Sequence, residues 1–581
     1  MKKTHISDLV IPILLLIDGM ICALTAIFAH DIGLDPNIVW GRTRYSLLFL
    51  GILLISVSLL SNYFKRKNKF FESTIKSESV KFLFLFGYLF HLWFFIFFVY
   101  AWFITFGNFT TWNRSTRCYT QLADAFGKGQ LYIDIDPGEA LLEVKNPYST
   151  IVRPSFNDDI WDMSLYKGKL YLYWGPVPAL LITPIQMLIN KKITDIFLVY
   201  FFSAGLLIFN SLIILKLWQN FFSNISVWNM LICIPLIGLI LPILWLINEP
   251  TVYQAAIGAG QFNLMGGIYF VILAFEDRTV INKGDLFLAG FFWTCSVGSR
   301  AMNVLSILFL MPLIIFLVFK SMPKPTDWAA YVKTLSALFF PLIAGAMTIG
   351  WYNWARFDSP FEFGMRYQIT IHDLNQLMRL TFQADYFLPN LYVYVLQPFE
   401  FISKFPFIQP ISIAGLFEKL NIIAPKIYFS GRMTGFLLYA PFLVFAFLPL
   451  FSKTKNNGKS DRAIADLRYK FVVSLLAISF AINFLSLLFF FFGQLRYFVD
   501  IISQITLLAI IGYWELISRS QSLKTLPSKY FVGLANLLIA ITICVSFLLS
   551  FSSESNRMEK FNPQLIEKIN SFLTISKYYF R

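Results

Sequence analysis

The chain has 581 residues, of which 57% are hydrophobic and 14% charged, and its formal net charge is +15; mean hydropathy is +0.63. So much apolar surface excludes a soluble globular protein, because a water-soluble core needs a polar shell. Lys and Arg cluster in short stretches between apolar runs, the pattern of anchoring on the cytoplasmic side of a membrane, so the positive charge is not read as a nucleic-acid partner.

The N-terminal MKKTHISDLVIPILLLIDGMICALTAIF has a basic start but no small-residue cleavage site, and reads as a retained first helix. Apolar runs near the about 20 residues needed to cross a bilayer then recur. They predict about thirteen spans, near residues 9–29, 45–63, 81–106, 194–217, 228–247, 262–275, 286–299, 302–320, 333–354, 433–451, 470–492, 497–517 and 529–551. The fold class is an all-α polytopic membrane protein with about 13 transmembrane helices, as the ~20-residue rule requires. Cys22, Cys233, Cys295 and Cys544 sit in apolar runs and only Cys118 in a polar loop, so no disulfide framework or metal cluster is indicated.

Orientation follows from Lys and Arg. Placing Lys2 and Lys3 in the cytoplasm puts the basic stretches 65–81, 320–325, 452–470 and 518–529 on the same side. Two long loops, 107–192 and 355–432, then face outward, each carrying interfacial helices, and the C-terminal tail ends outside. This assignment requires that 170–189 does not span. Pro176, Pro178 and Pro184 agree, since proline interrupts helical hydrogen bonding. Irregular backbone at membrane depth survives where it is buried in protein or lines a cavity, so this stretch is expected to dip into the rim of one.

The first loop holds the acids Asp124, Asp134, Asp136, Glu139, Glu143, Asp158, Asp159 and Asp162. Tyr119, Leu122, Ala123 and Phe126 recur at helical spacing before glycines at 127 and 129, which predicts a short amphipathic helix on the membrane surface. Asp124 lies beside its apolar face; a solvated interfacial acid and a catalytic one are equally open. Glu249 lies between two spans, where it caps locally or faces a cavity. Asp18 lies inside the first span, where acids are costly, and is expected to make a local polar contact. Arg114, Arg117, Arg153, Lys167, Lys169, Arg300 and Arg496 stand at the outer face against the charge bias. An anionic ligand such as a lipid phosphate would explain them, as would local pairing or snorkelling. Tyr166, Tyr171, Tyr173 and Trp174 suit an interfacial belt, or stacking on a sugar ring.

The layout resembles the GT-C membrane glycosyltransferases, including the protein mannosyltransferase-like and aminoarabinose transferase-like enzymes. YTQLADAFGKGQLYID followed by NPY is similar to their first-loop pattern, LYKGKLYLYWGPVPALLITP to the loop-end element of bacterial members, and NEPTVYQAAIGAGQ stands where a second short outward loop often carries an acid. The resemblance implies a core over 81–517, two added helices over 1–80, and a last helix with its tail over 518–581. It further implies a polyprenyl-phosphate-linked sugar donor and an extracytoplasmic glycan, lipid or protein acceptor.

Transfer would be inverting, with a loop carboxylate as general base: Asp124 first, Asp162 second, and Glu249 as a helper that orients the acceptor or binds a metal. Lys167, Lys169, Tyr171, Trp174 and Arg496 are the expected substrate contacts. One departure stands out: Ser115 and Thr116 occupy the positions where the family has an Asp-Glu pair. A divalent metal is an open possibility, with no ligand cluster of convincing spacing. The glycines of GAGQFNLMGG, at 258–267, lack the strand–loop–helix context of a phosphate loop. A flippase for lipid-linked saccharides, a surface-polysaccharide polymerase or ligase, and a non-catalytic relative are the competing readings. Richness in Lys, Asn, Ile and Phe suggests an AT-rich genome and a bacterial inner membrane.

Overall fold

The computed structural model describes residues 7–579 other than 66–77, 113–114, 277–279, 323–327, 414–416, 418–424, 426, 452–459, 524–525 and 553. Lys2, Lys3, Asn113, Arg114 and much of the basic stretches 65–81, 320–325 and 452–470 therefore lie outside the described residues, as do 524–525 of the stretch 518–529. The chain divides into two compact units, Met1–Trp112 with Met558–Leu565, and Asn113–Arg557 with Ile566–Arg581.

The first unit contains the helices Ser7–Phe28, Arg42–Lys65 and Glu78–Ile104. Arg44 closes the end of the first helix. Its guanidinium donates to the carbonyls of Ala26 and Ile27, each at 3.0 Å, and lies over the Trp40 ring at 4.6 Å. A cation is favourable there because a helix C-terminus carries unpaired carbonyls and partial negative charge. Asp18 makes the expected local contact: its carboxylate lies 2.5 Å from His91 Nε2, while His91 Nδ1 lies 2.6 Å from the Gly87 carbonyl.

Among the described residues eight helices are long and apolar enough to cross a membrane, or up to nine if one bent pair counts as a single span. The protein is a multi-pass integral membrane protein. Three of the about thirteen runs picked out by the ~20-residue rule depart from a single straight span. The run at 286–299 forms a helix of only 15 residues, Lys283–Val297. That at 433–451 breaks into a four-residue turn, Phe436–Tyr439, and an 11-residue 3₁₀ stretch, Pro441–Phe451. The run at 228–247 is the bent pair, Val227–Gly238 and Leu241–Asn248, with a 40° break.

In the second unit the helices Val252–Ala274 and Leu495–Ser520 are the most deeply buried spans. Polar side chains join helices there, as expected where lipid gives apolar faces no preference for one another. Gln261 donates to Gln504 at 2.8 Å and Gln504 to Ser479 at 3.1 Å. Asn210 donates to Ser503 at 3.0 Å, and Ser306 to Asn483 at 2.6 Å.

The first loop begins with the amphipathic helix Cys118–Gly127, where the spacing predicts one. The stretch at 170–189 gives a strand, a turn and the apolar helix Val177–Ile189. That helix has 13 residues, about 20 Å at the standard rise, which is short of a bilayer core.

Candidate functional site

The second half of the first loop is a β-hairpin. Ser164–Tyr166 pairs antiparallel with Lys169–Tyr171. The turn residues Lys167 and Gly168 both have positive φ, 49° and 73°, the backbone that a two-residue hairpin turn demands. Both edges are occupied. Ile133 N donates to the Leu170 carbonyl at 2.8 Å on one side. On the other, Asp162 N donates to Ile369 and Ile369 N to Met163, each at 2.9 Å. Residues of the second long loop thus complete the sheet begun by the first.

Two contacts fix where the hairpin's exit goes. Arg356 donates to the Leu172 carbonyl at 2.8 Å and packs on Tyr352 at 3.8 Å. Gly175 then passes against the turn after the Lys283–Val297 helix. A Cβ there would meet the Gly298 carbonyl oxygen at 2.0 Å, so only glycine fits. This approach sets Tyr173 and Trp174 beside the segment that carries Arg300.

Around these residues lies a row of charges and aromatic rings. The Tyr253 hydroxyl donates to Asp162 Oδ2, and the Thr370 side chain lies near the same carboxyl. Arg496 lies over the Tyr253 ring, 4.2 Å from its centroid, and Trp174 meets the same ring edge-on at 4.9 Å. Tyr497 faces Arg300 and Arg496 at 5.2 and 5.4 Å. The two cations differ. Arg300 donates twice to Asp500 Oδ2, at 2.9 and 2.6 Å. Among the described residues no carboxylate forms an ion pair with Arg496, and its Nε is buried without a hydrogen-bond partner. An unpaired buried donor is costly, so this guanidinium is preset for an acceptor.

Burial pushes the Asp162 carboxyl up from its ordinary value, against the pull of the nearby Thr370 and Tyr253 side chains and of the Arg496 charge. Its backbone is left-handed, with φ 60°, a conformation that Asp tolerates better than most side chains. A carboxylate has about four acceptor positions, so the Tyr253 hydroxyl leaves room for a further donor. The arrangement can accept a proton at Asp162 and hold an anion at Arg496, with aromatic surface between.

Of the expected site residues, the structure brings together Asp162, Trp174 and Arg496, through Tyr253. The others have different partners. Asp124 pairs with Lys192 at 2.5 Å and accepts from Gln186 at 3.3 Å, tying the first-loop helix to the chain beyond the short apolar helix. Glu249 accepts from Ser555 N at 2.9 Å and pairs with Arg557 at 3.1 Å. Lys167 pairs with Asp358 at 2.5 Å, and Lys169 lies over the Tyr132 ring at 4.2 Å; both are exposed. Tyr171 packs against Phe357 at 5.3 Å.

Ser115 and Thr116 have structural partners. Ser115 donates to the Pro250 carbonyl at 2.5 Å. The Thr116 hydroxyl donates to Asp195 and accepts from Val252 N, the latter at 2.8 Å. Among the described residues no group of three or more His, Cys, Asp or Glu is arranged to hold a metal ion.

Tyr253, Thr370, Tyr497 and Asp500 escaped the sequence reading. Asp500, four residues after Arg496 at the head of an apolar run, carried the one usable signal, since an acid there is costly unless paired.

No protein-family model matches the chain, and no curated protein matches it. Among solved structures the fold is similar to the Archaeoglobus fulgidus oligosaccharyltransferase. The apo crystal structure aligns with TM-score 0.41 at 12% identity over 75% of this chain and 51% of that one. The archaeal oligosaccharyltransferase AglB from the same organism, in complex with an inhibitory peptide and a dolichol-phosphate, gives 0.39 at 12% over 78% and 55%. A third structure, tethered to an acceptor peptide, gives 0.38 at 14% over 75% and 55%. The chain thus spans about half the length of these structures.

Proposed function

We propose that this protein is a membrane glycosyltransferase that moves a sugar from a polyprenyl-phosphate donor to the hydroxyl of an extracytoplasmic glycan, lipid or protein. The observation that carries this reading is the row Asp162–Tyr253–Arg496: a desolvated carboxylate and an under-bonded guanidinium on one aromatic ring. Asp162 takes the proton of the acceptor hydroxyl as its oxygen attacks the anomeric carbon. The bond from that carbon to the phosphate oxygen breaks on the opposite face, and Arg496 receives the charge that develops on the leaving phosphate. Configuration inverts in one displacement, and proton acceptance and charge stabilisation are each worth orders of magnitude in rate. Tyr253 orients the base, and Trp174 and Tyr173 offer faces for the sugar.

In this reading residues 81–517 form the transferase core, with 1–80 and 518–581 as additions to it. The N-terminus is cytoplasmic, the loops 107–192 and 355–432 face outward, and the setting is a bacterial inner membrane. Radiolabelled polyprenyl-phosphate sugars incubated with the purified protein test the chemistry: label should leave the lipid, and should stay on it with Asp162→Asn. A cysteine placed at Lys191 should react with an impermeant reagent from the outer face. Labelling from the cytoplasm alone would overturn the orientation.

A further inference from the structure

Just before Asp162 the first loop makes one tight turn. Asn157 caps it, its side-chain oxygen accepting from Asp159 N at 3.0 Å, and the single 3₁₀ turn Asp158–Ile160 follows. An amide oxygen at this position fills an N–H that the turn itself leaves unpaired. Ile160 is buried and anchors the turn in the protein, whereas Trp161 beside it is 39% exposed. The indole stacks on Phe156, with centroids 5.9 Å apart and planes 15° from parallel. Arg153 lies over both rings, 4.7 Å from the Phe156 centroid and 5.8 Å from that of Trp161.

One residue of the second loop joins this stack to the site. Arg153 Nη1 donates to the Thr370 carbonyl at 3.1 Å. Thr370 follows Ile369, whose carbonyl accepts from Asp162 N at 2.9 Å, and its side chain lies near the Asp162 carboxyl. Trp161 and Asp162 are also chain neighbours, about 3.8 Å apart at Cα. A lone exposed indole needs no explanation. This one stands beside a guanidinium with five N–H donors. Among the described residues that guanidinium bonds the Thr370 carbonyl alone and forms no ion pair. Asn157, Asp158 and Asp159 of the same turn are exposed. The mixture suits a ligand rich in hydroxyls. The C–H bonds of a sugar ring pack on the negative face of an indole, while planar amide, carboxylate and guanidinium groups donate to and accept from its hydroxyls. It does not suit lipid, because two exposed carboxylates beside the ring oppose its insertion among acyl chains.

We propose that the acceptor is a glycan, and that one of its sugar rings stacks on Trp161 while a hydroxyl of the neighbouring ring meets Asp162. This rests on the reading of Asp162 as the base, and narrows the acceptor from glycan, lipid or protein to the first of these. Arg153 holds the stacked ring through its hydroxyls and, through the Thr370 carbonyl, keeps the stack beside the base. Trp161 and Arg153 thus select the acceptor, and the donor sugar keeps the faces of Tyr173 and Trp174.

The test uses the full chain in phosphatidylcholine nanodiscs with radiolabelled polyprenyl-phosphate sugar. The polysaccharide, lipid and protein fractions of the source organism's own cell envelope are each offered separately as acceptor. Label should pass to the polysaccharide fraction. Trp161→Ala should raise the KM for that fraction about ten-fold, the scale of one lost stacking contact, and leave the KM for the donor at its native value. Trp161→Phe, which keeps an aromatic face, should recover most of the loss, and Arg153→Gln should raise the acceptor KM as well. Label that passes to the lipid or protein fraction instead overturns the glycan acceptor and leaves the transferase reading standing. A native acceptor KM in Trp161→Ala overturns the stacking platform, as does a donor KM that rises as much as the acceptor's. Label that never leaves the polyprenyl lipid removes the transferase reading itself, and the acceptor site with it.

Discussion

The two ends of the first loop each meet a desolvated carboxylate, and the two acids are used differently. At the start of the loop Asp195, fully buried, accepts from the Thr116 hydroxyl and from the N–H groups of Cys118 at 3.2 Å and Tyr119 at 3.1 Å. These are first-turn donors of the Cys118–Gly127 helix, which has no side-chain cap of its own. Asp195 thus satisfies groups that the helix cannot, and its charge suits the positive end of the dipole. At the far end, Asp162 accepts from the Tyr253 hydroxyl and lies near a guanidinium whose Nε has no partner. A carboxylate with its acceptors filled by backbone is a fastener. One left beside an unfilled donor has capacity for a substrate.

The sharpest way to break that distinction is Asp162→Asn. The change keeps the shape and removes the proton acceptor, so turnover should fall by roughly 10²–10⁴-fold while donor binding survives. Since only the ionised form accepts a proton and burial raises the Asp162 pKa, kcat/KM should rise with pH through an acid limb above the ordinary carboxylate value of about 4. A flat pH profile, or full activity in the variant, would place the base elsewhere. Arg496→Ala should weaken donor binding by about 1–3 kcal/mol, the range of a charge-assisted contact, as read by titration with lipid-linked sugar. Asp195→Asn should do the opposite of Asp162→Asn. One amide oxygen cannot serve all the donors that two carboxylate oxygens serve, so unfolding in detergent should come about 1–3 kcal/mol sooner. Turnover per folded molecule should hold. Loss of turnover without loss of stability would sink the assignment of Asp195 as a fastener.

The helical runs were legible because apolar length is a local property, and the first-loop helix because Tyr119, Leu122, Ala123 and Phe126 mark one face. The hairpin was not, although Lys167 and Gly168 sit between Leu165 and Leu170, which pair across it. Its aromatics drew attention to the membrane interface instead. The site was legible only as a collection of outward acids and cations. Asp162 meets Tyr253 from 91 positions away, and Arg300 meets Asp500 from 200. No periodicity within a helix or strand encodes such a meeting. Position in sequence also misleads in the other direction. Asp124 lies close to Ser115 and Thr116, but helical geometry turns it toward Lys192.

That last placement gives the smallest effect. The Asp124 carboxylate is about one-third exposed, at 34%, and its partner Lys192 is 66% exposed, so water and salt screen the pair. Exposed ion pairs contribute about 0–1 kcal/mol, and the Gln186 bond adds little to a group that water can also reach. Asp124→Asn should therefore lower stability by less than about 1 kcal/mol, less so at high salt, and leave turnover within about two-fold of native. Lys192→Met should reproduce the stability change, and the double variant should add nothing further, as expected for two ends of one contact. If Asp124→Asn instead abolishes turnover in a stable protein, the base has been mistaken for a fastener, and Asp162 loses the role to the first-loop helix.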